Sequence, residues 1–165
     1  MENPYRQIFR AFADAGIRYL VVGGVAVNLH GYRRFTGDID ILLALNEENL
    51  EKMTKLMHKM GYVERLPVEL KSLSDAAQVQ QWITEKGMTA YTFLSGDQRR
   101  INIDVLAGAS LHFGDFDTHK VMIDLEEGLK VPVIAFDDLL SMKREAGREQ
   151  DIADVRNLLE YRMHG

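Results

Sequence analysis

The chain has 165 residues, no cysteine and a formal net charge of −5. The lack of cysteine excludes disulfides, a cysteine nucleophile and a thiolate zinc site, and the acidic balance argues against a broad basic surface for nucleic acid. Because residues 1–4 lack the pattern of a signal peptide and no apolar run approaches the roughly 20 residues of a membrane span, we expect a soluble, cytoplasmic protein. This length predicts a single domain over residues 1–165.

Helices and strands alternate in the predicted first half of the chain. Asn3 followed by Pro4 indicates the start of a helix, and Gly16 fits its end. The later elements are recognised by their apolar periodicity and by the glycines that end them. They are a strand over residues 18–22, a short helix over 25–30, a strand over 38–45 and a helix from 46 to 61.

Hairpins dominate the predicted second half. Alternating runs interrupted by turn residues indicate two antiparallel pairs, which are residues 88–94 with 100–106 and residues 120–125 with 129–136. The other predicted elements are a strand over 62–65, a helix from Ser74 to Lys86, a helix over 137–146 and a final helix over 149–161.

The final helix is predicted to be amphipathic, with Ile152, Val155, Leu158 and Leu159 facing inward. Strands interspersed with helices predict an α/β (α+β) fold, in which helices flank a mixed central β-sheet. We expect the sheet core in residues 1–136 and a C-terminal helical segment in residues 137–165.

Asp38 and Asp40 lie two residues apart in a predicted strand. Such residues point to the same face, so the two carboxylates project side by side while Ile39 and Ile41 face the core. Like charges held this close repel one another unless a cation lies between them, and oxygen-only ligands favour a hard ion such as Mg²⁺. A pair of this kind is also common on solvated strand faces, so its meaning depends on its surroundings.

Two further features surround the pair. Gly23 and Gly24 follow a strand and precede a short helix, where glycine lets backbone N–H groups approach a phosphate; a tight turn is the simpler explanation. Asp104 shares a strand face with Asn102, and it brings a third carboxylate to the site if its strand neighbours that of Asp38. The alternative is the exposed face of an edge strand.

These residues belong to a longer motif. Its order is Gly23-Gly24-Val-Ala26-x-x-x-His30-Gly31-x-x-Arg34-x-Thr36-x-Asp38-Ile39-Asp40. The motif resembles the polymerase-beta-like nucleotidyltransferase superfamily, in which a Gly-Gly or Gly-Ser turn precedes Asp-x-Asp and a third acid follows on a later strand. The form Arg-x-Thr-x-Asp-Ile-Asp is most similar to the AbiEii-type branch, whose members include toxins of bacterial toxin–antitoxin pairs. The closing motif of that branch is similar to Lys143-x-x-x-Gly147-Arg148-x-x-Asp151-x-x-Asp154.

The resemblance implies a site that holds two Mg²⁺ ions and uses a nucleoside triphosphate. It makes Asp38, Asp40 and Asp104 the catalytic metal ligands, with Asp104 also helping to activate the attacking group. The remaining candidates would bind the nucleotide, and they are Gly23, Gly24, Arg34, Thr36, Lys143, Arg148 and Asp151. For Arg148 and Asp151, orientation of Lys143 is the alternative. For Arg34, a charge pair with the acidic site of Asp38 and Asp40 is an equal alternative. Two positions depart from the family's pattern, since Val25 replaces a serine that often contacts phosphate and Gln150 replaces a lysine.

The favoured function is the transfer of a nucleoside monophosphate from a nucleoside triphosphate to an acceptor, with release of pyrophosphate. Acceptors in the superfamily include antibiotics, proteins and RNA ends, and the toxin branch implies a cognate antitoxin as a partner. The sequence identifies neither the acceptor nor the preferred triphosphate. Two alternatives use the same residues: a non-catalytic module that binds a nucleotide or a partner, and a phosphohydrolase that takes water as acceptor. Convergence of Asp104 with Asp38 and Asp40 favours the enzyme.

Three other features are expected to be structural. His30 more often satisfies a helix C-terminus than binds a nucleotide, and Trp82 is assigned to the core rather than to a base-stacking surface. The run Gly114-Asp115-Phe116-Asp117 repeats the acidic pattern without the preceding glycine turn and helix, so it is interpreted as a loop.

Overall fold

The computed structural model describes residues 3–97 and 101–164, and their strands form one mixed sheet. The helices are α1 (Pro4–Ala15), α2 (Gly23–Leu29), α3 (Glu47–Lys59), α4 (Ala76–Lys86), α5 (Phe113–Asp117), α6 (Phe136–Ala146) and α7 (Glu149–His164). The strands are β1 (Tyr19–Val22), β2 (Asp38–Leu43), β3 (Tyr62–Glu64), β4 (Ala90–Ser95), β5 (Asn102–Leu106), β6 (Val121–Glu126) and β7 (Leu129–Val133). Within the described residues the strands pair in the order β3-β4-β5-β2-β1-β7-β6. None of the helices in this part of the chain is long and apolar enough to cross a membrane.

Strand β1 lies inside the sheet and is buried along its whole length. It pairs antiparallel with β2 and parallel with β7. Helix α1 packs on this region through Phe9 and Phe12, whose ring centroids lie 6.2 and 4.8 Å from that of Tyr19. Burial of large aromatic rings is a major source of stability, so this contact fixes β1 and with it the position at which α2 begins.

Strands β2 and β5 are parallel neighbours in the centre of the sheet. Parallel strands need a long crossover connection, which here runs from α3 to β4. Their register sets Asp40 opposite Asp104, while Ile39 and Ile103 are fully buried on the other face. The predicted mixed sheet flanked by helices is therefore confirmed, and its acidic residues lie on the face opposite to that apolar core.

The predicted helix ends agree with the structure to within one or two residues at most boundaries. The Asn3 side chain accepts a hydrogen bond from the Tyr5 N–H at 2.9 Å, and Gly16 ends α1 with a φ of 68°. Helix α4 was predicted to begin at a Ser74 cap, which is wrong by one residue. The cap is Asp75, whose Oδ1 accepts a hydrogen bond from the Gln78 N–H at 3.1 Å. A carboxylate is a strong acceptor for the exposed N–H groups of a helix start, which explains the choice.

Both predicted hairpins are present, with shifted ends. Strand β4 pairs with β5, and β6 pairs with β7, each time antiparallel. The predicted start of the second strand, residue 100, lies outside the described residues. Phe136, predicted to end a strand, begins α6 instead, because β7 stops at Val133. Residues 113–117, predicted as a loop, form the short helix α5.

Helix α7 turns only part of the predicted face inward. Ile152 is 61% exposed and Leu159 is 37% exposed, so the prediction that they face inward is wrong. Leu158 is buried and Val155 packs partly buried against the core, as predicted. Two carboxylates, those of Asp151 and Asp154, are buried as well. The apolar pattern did not predict the burial of these acids, because cations from other elements pair with them. Carboxylates that are paired in this way can be buried.

Candidate active site

Three carboxylates lie together on the polar face of the sheet. The register of β2 and β5 sets Asp40 opposite Asp104 and Asp38 opposite Asn102. Burial, followed by the negative charges of Asp104 and Asp38, raises the pKa of Asp40 to about 7, because each of these effects disfavours the charged form. Asp40 also shares a side-chain hydrogen bond with Asp104. The structure thus brings together the three acids that the sequence singled out.

Asp38 lies at the more exposed start of β2. Partial burial, and after it the charge of Asp104, raises the pKa of Asp38. The nearby Tyr5 has a raised pKa as well, first through burial and then through the charge of Asp38. The Tyr5 hydroxyl donates to the backbone carbonyl of Thr36 at 3.0 Å, so α1 braces the loop that leads into Asp38.

Thr92 holds the third acid, a role that the sequence did not reveal. Its hydroxyl donates to Asp104 Oδ1 at 2.5 Å, and the two residues face each other in the β4–β5 hairpin. Close by, Asn102 Oδ1 accepts from the Ser95 N–H at 3.0 Å. Thr92 can be recognised only from the register of the hairpin. The sequence did not reveal it because an alternating pattern alone does not determine which residues of two strands face each other.

The three acids have the chemistry of a site for a hard cation. Their ligand atoms are all oxygens, which Mg²⁺ prefers. Burial, and after it the like charges of Asp104 and Asp38, raises the pKa of Asp40, and a bound cation offsets such repulsion. Among the described residues, no three His, Cys, Asp or Glu side chains are gathered closely enough to hold a metal ion as they stand. Asp104 uses its oxygens in hydrogen bonds with Thr92 and Asp40. The residues therefore fit the ion chemically, while binding requires these hydrogen bonds to change.

Gly23 and Gly24 are the first residues of α2, two positions before the predicted helix start. Gly23 has a φ of 64°, and a Cβ there would lie 2.2 Å from Asp40 Oδ2. A Cβ on Gly24 would lie 2.6 Å from Thr36 Oγ1 and 3.2 Å from an Arg34 nitrogen. Only glycine therefore allows the side chains of the site to approach the helix start this closely.

A buried cluster of ion pairs joins the loop before β2 to helices α6 and α7. Lys143, only 7% exposed, has its Nζ 3.1 Å from Asp151 and 2.9 Å from Asp154. Two nitrogens of Arg34 donate hydrogen bonds to the Asp154 carboxylate, at 2.8 and 2.9 Å. This bidentate geometry is typical of strong charge-assisted pairs. Burial by itself would raise the pKa of both aspartates, but hydrogen bonds from the surrounding side chains outweigh it and lower the pKa of each. Arg34 thus pairs with an acid, but with Asp154 of α7 rather than with the acids of β2 that the alternative named.

Arg148 and Gln150 complete this cluster at the surface. Arg148 Nε donates to Asp151 Oδ2 at 2.7 Å, although its side chain is 78% exposed. The hydrogen bond to Asp151 is the main reason that the pKa of Arg148 is raised, and the charge of Asp40 acts in the same direction. Gln150, which replaces the family's lysine, donates to Asp154 Oδ1 at 2.9 Å. A neutral amide therefore takes part in the cluster where a further cation was expected.

Lys143 lies within electrostatic reach of the three acids, but its ammonium group is already engaged. Its positive charge lowers the pKa of Asp40, against the larger effects that raise it. Both of its ion pairs are with buried carboxylates, so a direct contact with a phosphate requires one of them to be exchanged. Arg148 is exposed and also close enough to respond to Asp40, which makes it the more accessible cation.

A cleft of about 760 Å³ opens beside the acids. Asp38, Asp104 and Thr92 line one part of it, and the segment after β3 and the end of α4 line the rest. Trp82 reaches the cleft from α4 and is only half-buried, so the prediction that it is a core residue is met in part. Small-molecule sites commonly measure about 300–1,000 Å³, and the cleft is of that size.

His30 and the acidic run at 114–117 have structural contacts of their own. The Nε2 atom of His30 is 2.7 Å from the carbonyl oxygen of Ile134, which holds the end of α2 against the strand region. Asp117 pairs with Lys120 at 2.8 Å. Neither feature contributes to the charges that shift the pKa of Asp40.

Three solved structures that share this fold are described as nucleotidyltransferases or adenylyltransferases. The lincosamide antibiotic adenylyltransferase LnuA, in its lincomycin-bound form, is 17% identical, with a TM-score of 0.62 over 96% of this chain and 96% of that chain. ANT(2″)-Ia in complex with adenylyl-2″-tobramycin is 13% identical, with a TM-score of 0.59 over 95% of this chain and 86% of that one. TM1012 from Thermotoga maritima, assigned as a nucleotidyltransferase, is 13% identical, with a TM-score of 0.57 over 95% and 91%.

The fold is that of the solved nucleotidyltransferase structures, and its acidic face lies next to a Gly-Gly helix start. The sequence profile described as nucleotidyl transferase AbiEii toxin, type IV toxin–antitoxin system, matches residues 7–164. The chain therefore belongs to the AbiEii nucleotidyltransferase family. No curated protein matched the sequence significantly.

Proposed function

We propose that this nucleotidyltransferase depends on Mg²⁺ and moves a nucleoside monophosphate from a nucleoside triphosphate to a hydroxyl group of an acceptor. The observation that carries the proposal is the in-register pairing of Asp40 with Asp104 on two central parallel strands. Strands of a packed sheet hold their side chains rigidly, and rigid charged groups are the main means by which enzymes stabilise a transition state.

Asp38, Asp40 and Asp104 are proposed to hold two Mg²⁺ ions. Bound ions of this kind neutralise phosphate charge and steady the attacking and leaving oxygens of phosphoryl transfer. In the protein itself, the raised pKa of Asp40, about 7, means that this carboxyl group keeps its proton up to near neutral pH. Asp40 must therefore lose that proton, and its hydrogen bond with Asp104, before both carboxylates act as ligands.

Asp104 is proposed to receive the proton of the acceptor hydroxyl. The hydrogen bond from Thr92 to Oδ1 orients its carboxylate, which a general base requires. The acceptor oxygen then bonds to the α-phosphorus. The bond from that phosphorus to the oxygen that bridges to the β-phosphate breaks, and pyrophosphate leaves with the electron pair.

The triphosphate is proposed to lie near Gly23 and Gly24, as the family resemblance implies. The side chain of Val25 is buried, so phosphate contacts here depend on backbone N–H groups. Arg148 is the exposed cation that supports this placement. Lys143 adds positive charge from its buried position, which stabilises anionic groups at the site without a direct contact.

The test is transfer of label from α-phosphate-labelled triphosphates, with Mg²⁺, to the RNA, protein and small-molecule fractions of a cell extract. Asp40→Asn and Asp104→Asn are expected to lower transfer at least 100-fold, since metal binding and proton acceptance are each lost. The matched control is Asp115→Asn, in the acidic run of α5, which is expected to behave as wild type. Transfer that persists in Asp40→Asn contradicts the site assignment. Binding of a triphosphate without transfer or pyrophosphate release in every fraction supports a non-catalytic module instead.

The family's description also leads us to propose that the enzyme is a toxin with a cognate antitoxin. Expression of the wild-type chain in a bacterial host is then expected to arrest growth, and the Asp40→Asn variant, produced at the same level, is expected to be harmless. Equal toxicity of the two would separate any growth effect from nucleotidyl transfer.

A further inference from the structure

The cleft of about 760 Å³ lies on the opposite side of Asp40 from the helix start that is proposed to hold the triphosphate. In the sheet order, β5 and β4 are on one side of β2, whereas β1, which leads into α2, is on the other. Gly23 approaches Asp40 from the α2 side. The cleft reaches the acids through Asp104 and Thr92, which belong to β5 and β4. A molecule in the cleft therefore meets the proposed base on the side away from the triphosphate, which is where an acceptor hydroxyl must be.

The charged side chains that line the cleft, apart from the acids of the site, are cations. Arg65 and Lys86 both line it and are exposed. Neither makes an ion pair with any residue in the described ranges 3–97 and 101–164. The carboxylates among the lining residues are those of Asp38 and Asp104, which are reserved for metal ions and for proton acceptance. The free side chains thus offer positive charge and hydrogen-bond donors to a ligand.

Trp82 gives the cleft a flat apolar wall. It belongs to α4, a helix in which no residue is fully buried, so its ring is not held in a closed core. Among the described residues, its indole N–H has no hydrogen-bond partner. Val68 and Met88 add apolar surface beside it. Half-buried tryptophan next to free cations is a combination that favours flat rings carrying negative charge.

We propose that this cleft is the acceptor site and that it selects an acceptor which carries a flat ring and a negative charge beside its reacting hydroxyl, while it excludes polycations. The proposal rests on the proposed function and adds the chemical class of the acceptor. A nucleotide unit has all three features and serves as the probe. It can be free in solution or stand at the end of an RNA chain, and the experiment separates these sources.

Trp82 is the single tryptophan of the chain, so its fluorescence reports on the occupancy of the cleft. The protein is first saturated with Mg²⁺ and a non-hydrolysable triphosphate analogue, which fills the donor site. Adenosine 5′-monophosphate, adenosine and tobramycin are then titrated separately. We expect a saturable change with the monophosphate, at least tenfold weaker binding of adenosine, and no saturable change with tobramycin.

Variants test whether the two cations are responsible. Arg65→Glu combined with Lys86→Glu is expected to weaken monophosphate binding at least tenfold. Lys55→Glu, on the exposed surface of α3 and outside the cleft, is the matched control and is expected to bind as wild type. An RNA 12-mer that ends in the same nucleotide distinguishes the sources, since binding at least tenfold tighter than that of the monophosphate indicates a chain end and equal binding indicates a free molecule.

Three results overturn the proposal: no saturable response to the monophosphate, tobramycin binding as tight as that of the monophosphate, or unchanged binding in the double variant. These outcomes are separate from a failure of the proposed function. If the triphosphate analogue does not bind the wild-type protein in calorimetry, the proposed function fails. If the analogue binds and the double variant still takes the monophosphate normally, only the acceptor assignment is lost.

Discussion

Replacing Asp40 with asparagine is expected to stabilise the protein in the absence of metal ions. Burial and two neighbouring negative charges raise the pKa of Asp40 from 3.8 to about 7. The folded state therefore keeps a proton that the unfolded chain releases. Stability from this group is fully present below pH 3.8 and is lost as the pH rises through about 7, because the unfolded chain then ionises at no cost while the folded state resists ionisation.

The size of the effect follows from the shift in pKa. A gap of about 3 pKa units, at roughly 1.4 kcal/mol per unit, gives an upper value of about 4 kcal/mol at pH 8. Solvent reaches this half-buried carboxylate, so we expect the gain in Asp40→Asn to be about 2–4 kcal/mol. The amide has nearly the same shape as the carboxyl group and carries no charge, so little packing is lost.

Urea unfolding in EDTA at pH 5, 6, 7 and 8 measures the free energy of unfolding of both proteins. The advantage of Asp40→Asn is expected to grow with pH up to about 7 and then to level off. Added Mg²⁺ is expected to stabilise the wild type and not the variant, since a ligand that binds only the folded state shifts the equilibrium toward it. An advantage that does not vary with pH, or a variant less stable than wild type at pH 8, would refute the reasoning about repelling charges.

Three further substitutions test other parts of the site. Lys143→Met leaves two buried carboxylates short of a cation and is expected to lower the free energy of unfolding by about 3 kcal/mol in urea titrations. Gly24→Ala places a Cβ 2.6 Å from a side-chain oxygen and is expected to lower the transfer rate at least tenfold, whereas Gly114→Ala, whose Cβ meets nothing within 4 Å, is expected to leave it unchanged. Thr92→Val removes the hydrogen bond that orients Asp104 and is expected to lower kcat about tenfold without raising the KM for the triphosphate.

Each of these expectations has an opposite result. A Lys143→Met protein as stable as wild type means that the cluster is not buried as described. Equal rates for the two alanine variants mean that the helix start has room for a side chain. If Thr92→Val changes only the KM for the triphosphate, Thr92 contributes to nucleotide binding and does not orient the general base.

Local patterns were enough to predict the acids of β2 and the helix start before them. Asp38 and Asp40 are two residues apart, so strand geometry alone sets them on one face, and Asn3, Pro4 and Gly16 act through neighbours along the chain. Asp104 was predictable as a strand residue, but its register with Asp40 follows from the pairing of strands that are far apart in sequence.

The missed features depend on contacts between distant elements. Thr92 is ordinary until the hairpin register places it opposite Asp104. Asp154 was part of a recognised motif, yet its pairing with Arg34 spans 120 positions. The same pairing explains why the burial of Asp154 in α7 was missed, because periodicity treats a carboxylate as an outward-facing residue unless its partner is known.

The ion pair between Arg34 and Asp154 also bears on how the enzyme is made. Ribosomes add roughly 5–20 residues per second, so a separation of 120 residues leaves Arg34 without its carboxylate for on the order of 10 s during translation. Until α7 leaves the exit tunnel, the loop before Asp38 is not tied to the rest of the protein by that pair. Nascent chains that already contain all three acids are therefore expected to lack the finished arrangement of the site, and the enzyme becomes competent only when the helix that carries Asp154 docks.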